Sequence, residues 1–379
     1  MSDEETLSLI SSFKELPDPR VEGRCDHLLI DIIVVAVCGV IAGAQSWVDI
    51  ESFGKAKQAW LSTFLELPNG IPSHDTFGRF FAALDAQAFQ QAFSRWVQSV
   101  FQVSKGEVVA IDGKTVRRSH DHHIGKDAIH IVNAWATTNG IALGQWKTDV
   151  SSNEITAIPP LLRQLNVSGC IVTLDAMGAQ KTIAQAIRNE QADYVLRIKD
   201  NQGQLHQDLQ DWFAYADKVN FEQMQHRYAE TVNKGHGRIE IRRCWVIDDP
   251  LAFDYIRHFD GWIDLNSIVR VQRERRVADA IHQQTAYYIS SLKQADAHTL
   301  LSATRFHWAV ENSLHWVLDV IFREDQSRIR LGHAAHNMAI LRQLALNVIK
   351  KDVSKGSIRT KRYKAALDTA FLEQLLDQF

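Results

Sequence analysis

The sequence predicts a mixed α/β protein: a helical N-terminal region, a sheet-forming core, and a β-rich insertion within that core. Three observations predict it. Residues 1–104 place their apolar side chains at helical spacing. From about residue 105, short apolar runs closed by polar turns alternate with helical stretches. Between residues 201 and 286, strand-like runs take over.

The elements follow in order. Ile32–Ala44, 13 uninterrupted residues, reads as a buried core helix, because a membrane span needs ~20. A second helix is expected from about Trp47 to Leu67, stopped by Pro68-Asn69-Gly70. Ser73 and Asp85 each offer an oxygen to cap a helix. Behind Asp85, the residues Phe89, Phe93, Trp96 and Val100 repeat at 3–4 residue spacing. Pro72 to Arg79 fits either a plain helical bundle or a helix-turn-helix-like DNA-binding element. Val108–Ile111 is a buried strand expected to run into the polar turn Asp112-Gly113-Lys114. Strands at Ala128–Thr137 and Ile141–Thr148 follow, then a helix at Ile155–Leu165 and a strand at Cys170–Leu174. A helix at Lys181–Glu190 and a strand at Tyr194–Ile198 complete the series. That order suits an RNase H-like mixed sheet. Arg238–Ile247, Leu265–Val271 and Thr285–Ile289 are the strands of the insertion. Asp296 caps a helix leading to Glu311, and helix is expected to dominate to about Lys350. In Ala365–Phe379 an apolar stripe (Leu367, Phe371, Leu375, Phe379) predicts docking on another element. The expected domains are 1–104, 105–349 interrupted by 201–286, and a tail at 350–379 that is basic and then amphipathic.

Composition narrows the function classes. The apolar fraction is 45% and the charged fraction 23%, ordinary for a folded globular chain. Cys25, Cys38, Cys170 and Cys244 form no CxxC pair, which argues against a disulfide framework or a zinc ribbon. The acidic start Met1-Ser2-Asp3-Glu4-Glu5 lacks the pattern of a secretory signal, so a cytoplasmic protein is expected. Net charge is −3, which disfavours a uniformly basic nucleic-acid binder. Positive charge is nevertheless clustered. Seven basic residues stand between Lys350 and Lys364 against the single acid Asp352, and smaller clusters are Arg270/Arg273/Arg275/Arg276 and Lys114/Arg117/Arg118.

Two acids, Asp112 and Asp175, stand at the carboxyl ends of separate buried strands, and Glu311 lies on a helix. Strand ends project into the crevice where open α/β sheets bind ligands. Hard divalent cations take oxygen ligands, and a pair of them can serve both sides of a phosphodiester displacement. The bland alternative is a turn-forming Asp after each strand and a surface Glu.

Local context decides between these readings. The segments Ala110-Ile111-Asp112-Gly113-Lys114, Thr173-Leu174-Asp175-Ala176-Met177-Gly178-Ala179-Gln180 and His307-Trp308-Ala309-Val310-Glu311-Asn312-Ser313-Leu314-His315-Trp316-Val317-Leu318-Asp319 resemble the DDE transposases of bacterial insertion sequences. The ISAs-type group, which includes the H-repeat-associated proteins of Rhs elements, matches best. The likeness extends to Pro72–Arg79 and Lys234–Glu240, and so covers about residues 10–350. It implies an RNase H-like catalytic domain whose metal ligands are Asp112, Asp175 and Glu311. It further implies two Mg²⁺ ions, with Mn²⁺ tolerated, and cleavage and strand transfer at the ends of a DNA element. The expected partners are double-stranded DNA and a second copy of the chain, at the nucleoid, with residues 1–104 binding the DNA ends. One departure stands out. A Tyr-x2-Arg-x3-Glu-x6-Lys signature of the wider superfamily would fall on Thr304, His307, Glu311 and Leu318, with Arg305 offering a positive charge in another register. The rival readings are a catalytically decayed DNA-binding remnant and an RNase H-like nuclease without strand transfer.

Further residues are candidates for DNA contact: Lys114, Arg117 and Arg118 after the first acid, Lys199 after a strand, and Arg238, Arg305, His307 and His315. Glu311, His315 and Asp319 share a helix face, which leaves Trp308, Trp316 and Val320 to read as core. Asp319 reads as a neighbour of the metal site or, as an alternative, the third ligand. Ser119-His120-Asp121-His122-His123 reads as a loop rather than a metal tract. Trp245 and Trp262 read as packing residues rather than base-stacking platforms.

Overall fold

In the computed structural model, residues 9–377 are described except for 24, 102, 121–124, 126, 149–153, 223, 236 and 278–279. Most of the histidine-rich tract, His236 and Phe379 therefore lie outside the described residues.

The N-terminal region is helical: α1 (Leu9–Lys14), α2 (Leu29–Ile41), α3 (Trp47–Ala56), α4 (Gln58–Leu61), α5 (His74–Ala83) and α6 (Ala86–Val100). Ser73 and Asp85 cap α5 and α6 through the backbone N–H groups of Thr76 and Ala88. The single helix expected over Trp47–Leu67 is instead two. The chain then turns back towards α2, where Leu67, at φ 44, gives its N–H to the carboxylate of Asp31 at 2.9 Å. Asp31 is buried on an otherwise apolar helix, and burial raises its pKa.

The core begins with β1 (Val108–Thr115), β2 (His130–Ala136) and β3 (Ile141–Lys147), an antiparallel set. Then come α7 (Glu154–Gln164), β4 (Ile171–Leu174), α8 (Lys181–Asn189) and β5 (Asp193–Ile198), with β1, β4 and β5 parallel. The order β3-β2-β1-β4-β5 is that of an RNase H-like sheet. Asp112-Gly113-Lys114 is not the expected turn. β1 continues through it, with Asp112 paired to Asn133.

After α9 (Gly203–Lys218) the sheet gains β6 (His226–Gly235), β7 (Arg238–Ile247), β8 (Ser267–Val277) and β9 (Ala280–Ser290), with α10 (Pro250–Tyr255) between β7 and β8. β9 pairs with β5, so the nine strands form one sheet. α9, α10 and β6 were not legible. β6 is largely exposed and carries little apolar alternation. Trp262 is buried, and Trp245 lies 4.2 Å from the Arg270 guanidinium, so both pack.

α11 (Ala297–His307), capped by Asp296, crosses the sheet and leads into π-helical turns at Glu311–His315 and Val317–Ile321. Helix dominates to about Lys350 as expected, interrupted by an irregular stretch between Phe322 and His333. It resumes as α12 (Ala334–Lys351), followed by α13 (Ile358–Leu367) and α14 (Thr369–Leu376). Phe371 and Leu375 dock as expected, but Leu367 is exposed. The basic tail is not a solvated patch throughout. Lys361 and Arg362 are buried, and Arg362 donates to the carbonyls of Ile321 and Val40. Lys350 packs on the Trp135 ring, where burial lowers its pKa to about 8. Cys38, Cys170 and Cys244 are buried thiols and Cys25 is exposed. Among the described residues no helix is long and apolar enough to cross a membrane.

Residues 334–349 of α12 are buried without exception, between the N-terminal helices and the β3 side of the sheet. The approach to α12 passes Gly332 at φ 49, where an added Cβ would stand 2.4 Å from the Ala82 carbonyl oxygen. Gly332→Ala combines a left-handed backbone with a backbone clash. It should cost at least ~2 kcal/mol, read as a lowered midpoint in urea denaturation.

Candidate active site

Ala110 on β1 is in register with Thr173 on β4. Asp112 and Asp175, each two residues further on, therefore stand level on neighbouring parallel strands and on one face. Asp175 lies just past the end of β4 and also shapes its turn, accepting the N–H of Met177 at 3.0 Å. Glu311, on the π-helical segment, lies near enough to act on the charge of Asp112. It shares a cavity of about 520 Å³ with Gly113, Lys114, His315 and Asp319.

The acids act on one another. Burial, then Asp175, Glu154 and Glu311, push the Asp112 carboxyl up to about 7. The fourth acid, Glu154, was not anticipated from sequence. It opens α7, and its carboxylate is 2.6 Å from His130 Nε2, while His130 Nδ1 is 2.9 Å from Thr115 Oγ1. This pair lies across Gly113, where a Cβ would sit 2.0 Å from Glu154 Oε1. Gly113 is thus a clearance position within a strand rather than a turn residue. The only sequence signal for Glu154 is an acid opening a helix.

Two histidines border the acids. His315 Nδ1 is 3.6 Å from Asp112, and His307 Nδ1 is 3.3 Å from Thr173 Oγ1. Burial lowers both imidazoles to about 4, so they are neutral at pH 7 and supply no positive charge for DNA.

Lys114 is also not available to phosphate. Its ammonium is buried, paired with Asp319 at 2.5 Å and with Glu324. Glu324 also meets Arg342 at 3.5 Å. Burial alone would raise Glu324, yet Lys114 and Arg342 hold it below the usual carboxylate range. Asp319 is therefore engaged by a lysine. Arg117, Arg118 and Lys199 are exposed; Arg117 lines the cavity that holds Glu311 and lies 3.4 Å from Asp325. Arg238 and Arg305 line a separate cavity beyond β5.

Trp308, Trp316 and Val320 are exposed rather than core. Hydrogen bonds run i→i+5 in the π-helical turns. Positions four apart therefore drift around the axis, from exposed Glu311 to buried His315. The buried stripe runs instead through Val310, Leu314, Val317 and Leu318.

Among the described residues no three His, Cys, Asp or Glu side chains form a ready metal cage. The donor set is nonetheless hard, consisting of carboxylates, among which Asp112 is raised by burial and by its acidic neighbours. Such a set suits a divalent cation of the Mg²⁺ or Mn²⁺ kind.

Comparison with known proteins adds family relationships. The family description "Transposase DDE domain" matches residues 103–348, and an associated N-terminal description, "DDE_Tnp_1-associated", matches residues 10–97. YncI of Escherichia coli O157:H7, which carries transposase in its name, is 41% identical over 97% of this chain and 94% of its own. YhhI of strain K12, named as H repeat-associated and for transposase, is 37% identical over 98% of each chain. A short relative from the same strain, named "Inactive transposase YbfQ", is 39% identical over 75 residues. A solved piggyBac transposase synaptic complex with hairpin DNA aligns over 94% of this chain at a TM-score of 0.41 and 11% identity, too distant to bear on the site.

Two outcomes follow. Glu324→Ala leaves Lys114 and Arg342 without their shared carboxylate and should cost ~3–5 kcal/mol in equilibrium unfolding. In metal-free protein, the raised Asp112 makes its ionisation a cost to folding, absent below the unfolded pKa of ~4 and fully present above about 7. The stability advantage of Asp112→Asn over wild type should therefore grow between those limits and level off above them, measured by urea denaturation in EDTA.

Proposed function

The chain belongs to the DDE transposases of the H-repeat type, and on that premise we propose that it cuts the ends of a DNA element and joins them to target DNA. Asp112, Asp175 and Glu311 are its metal-binding carboxylates. What supports the reading is that Asp112 and Asp175 stand level at neighbouring strand positions, with Asp175 and Glu311 both near enough to raise the Asp112 carboxyl.

A divalent pair, Mg²⁺ or Mn²⁺, when held by those carboxylates, supplies the Lewis acidity that activates an attacking oxygen and stabilises the leaving one. The protein's own groups do the rest. Asp112, raised by burial and its acidic neighbours, would have to be ionised to hold a cation, which would couple occupancy to pH. Glu154, fixed by His130, contributes a further negative charge beside Asp112. His307 and His315, neutral through burial, border the acids without competing as cations. Asp319 and Glu324 hold Lys114 away from the carboxylates. Arg117, Arg118 and Lys199 take DNA phosphates at the rim. Water attacks the phosphodiester at the element end in line and releases a 3′-hydroxyl, and that hydroxyl then attacks target DNA. Both steps exchange one phosphodiester oxygen for another, so no covalent protein–DNA intermediate is required. Pairing two ends calls for two copies of the chain on DNA, with residues 1–104 binding the ends.

The test is cleavage of labelled duplex carrying the flanking element end, with Mg²⁺ or Mn²⁺, for wild type, Asp175→Asn and Glu311→Gln. Nicking at the end and joining to a second duplex in wild type alone is the expected result. End binding without nicking would mark a decayed binder, and nicking without joining a nuclease. Activity that persists in either variant would show the acids to be misassigned.

A further inference from the structure

The sheet face that carries the acids continues across β5, β9, β8 and β7, and there it carries arginines. Thr173 is in register with both Ala110 and Val195. Asp112, Asp175 and Arg197 therefore stand in one row, each two residues beyond its registered neighbour. Arg197 pairs in turn with Tyr288, and Arg273 pairs with Arg242 and Gln284. Together with Arg238, Arg305 and Trp308, these side chains line a cavity of about 640 Å³ beside α11.

Its charge is unbalanced. Glu240 is the single carboxylate among the lining residues, and it is shared by Arg238 at 3.4 Å, Arg273 at 3.3 Å and Arg242. No carboxylate pairs with Arg197 or Arg305 among the described residues. Arg197 Nε and Arg242 Nη1 are buried N–H groups with no hydrogen-bond acceptor. The exposed Trp308 ring lies 5.8 Å from the Arg197 guanidinium and offers a flat apolar wall.

We propose that this cavity binds the phosphodiester backbone of a single nucleic-acid strand passing beside the acid cluster. Guanidinium forks match phosphate oxygens, and the orphaned donors gain the acceptors they lack. A cavity of this size holds a ligand of one or two nucleotides but not a duplex. Trp308 provides a surface for a base or sugar. The row of arginines also counters the repulsion that the acids exert on an approaching strand. The choice of a nucleic-acid strand over another polyphosphate rests on the transposase reading of the neighbouring acids.

The full chain, in EDTA so that binding is read apart from cleavage, is titrated into a labelled single-stranded oligonucleotide of about ten nucleotides over a salt series. The double variant Arg242→Gln/Arg305→Gln is compared with wild type and with Arg163→Gln, an exposed arginine on α7. Loss of two phosphate contacts should weaken binding about tenfold or more. It should also make the plot of log K against log salt shallower by about 1.4, with Arg163→Gln unchanged. If the double variant does not fold, the exposed Arg305→Gln alone should flatten the slope by about 0.7. Wild-type affinity and slope in the variants would overturn the inference. So would cavity-dependent binding of tripolyphosphate with no binding of the strand, which would make the site one for small polyphosphates. Because no metal is present, this result and the cleavage assay can fail independently.

Discussion

A helix buried along its length has no water to satisfy its polar side chains, and on α12 part of that need is met by the N-terminal region, the sheet and Glu324, while His336 Nε2, Asn337 Oδ1, Arg342 Nη2 and Gln343 Oε1 are left without partners among the described residues. Asn337 donates to the carbonyls of Phe81 and Leu84 in the N-terminal helices. Gln343 reaches Asn133 and Asn347 brackets Ala142, which fastens the β2–β3 edge. Arg342 meets Glu324, and through Glu324 it meets Lys114 on β1. Each of these bonds is modest in net terms, but a buried donor or acceptor left unpaired is costly. The bonds that are made favour this docking of the helix. That docking sets where the sheet edge, the N-terminal helices and the strand bearing Asp112 lie relative to one another.

The candidate site inherits this fixing at one remove. Asn133, held by Gln343, lies 3.4 Å from His315, and His315 lies 3.6 Å from Asp112. Asp112 is thus held beside the other acids by hydrogen-bonding groups and, on its own strand, by a buried ion cluster whose charges are already paired. A carboxyl raised as Asp112 is costs the fold stability, and on the proposed reading the same arrangement favours cation binding, the usual opposition between stability and function. On the same sheet face the sign of charge reverses beyond β5. Polarity thus follows the strand order, with acids over β1 and β4 and arginines over β5, β8 and β7.

The sheet strands up to β5 are legible in the sequence because buried strands are short apolar runs between turn residues. Asp112 and Asp175 are legible as lone acids beside those runs. Glu154 is not, since its meeting with Asp112 depends on α7 entering above β1 and on the space left by Gly113. Gly113 itself misleads, because glycine next to aspartate signals a turn when nothing in sequence shows the side chain packed over it. Trp308 and Trp316 mislead by residue type and by the assumption of an α-helical period that π-helical turns break. Lys114 looks like a phosphate ligand beside an acid, and only the fold brings Asp319 and Glu324 to it. β6 escapes notice because most of its side chains face solvent, so it has no hydrophobic alternation to show.

The position of α12 in the chain also bears on how the protein is made. The helix at the centre of the packing is encoded at residues 334–351 of 379. During synthesis the N-terminal helices emerge first and must wait, with their inner apolar faces uncovered, for most of the polypeptide to follow. Nascent chains of this protein therefore present adhesive surface on the ribosome for much of translation, and a premature stop anywhere before α12 yields a product that cannot close its core.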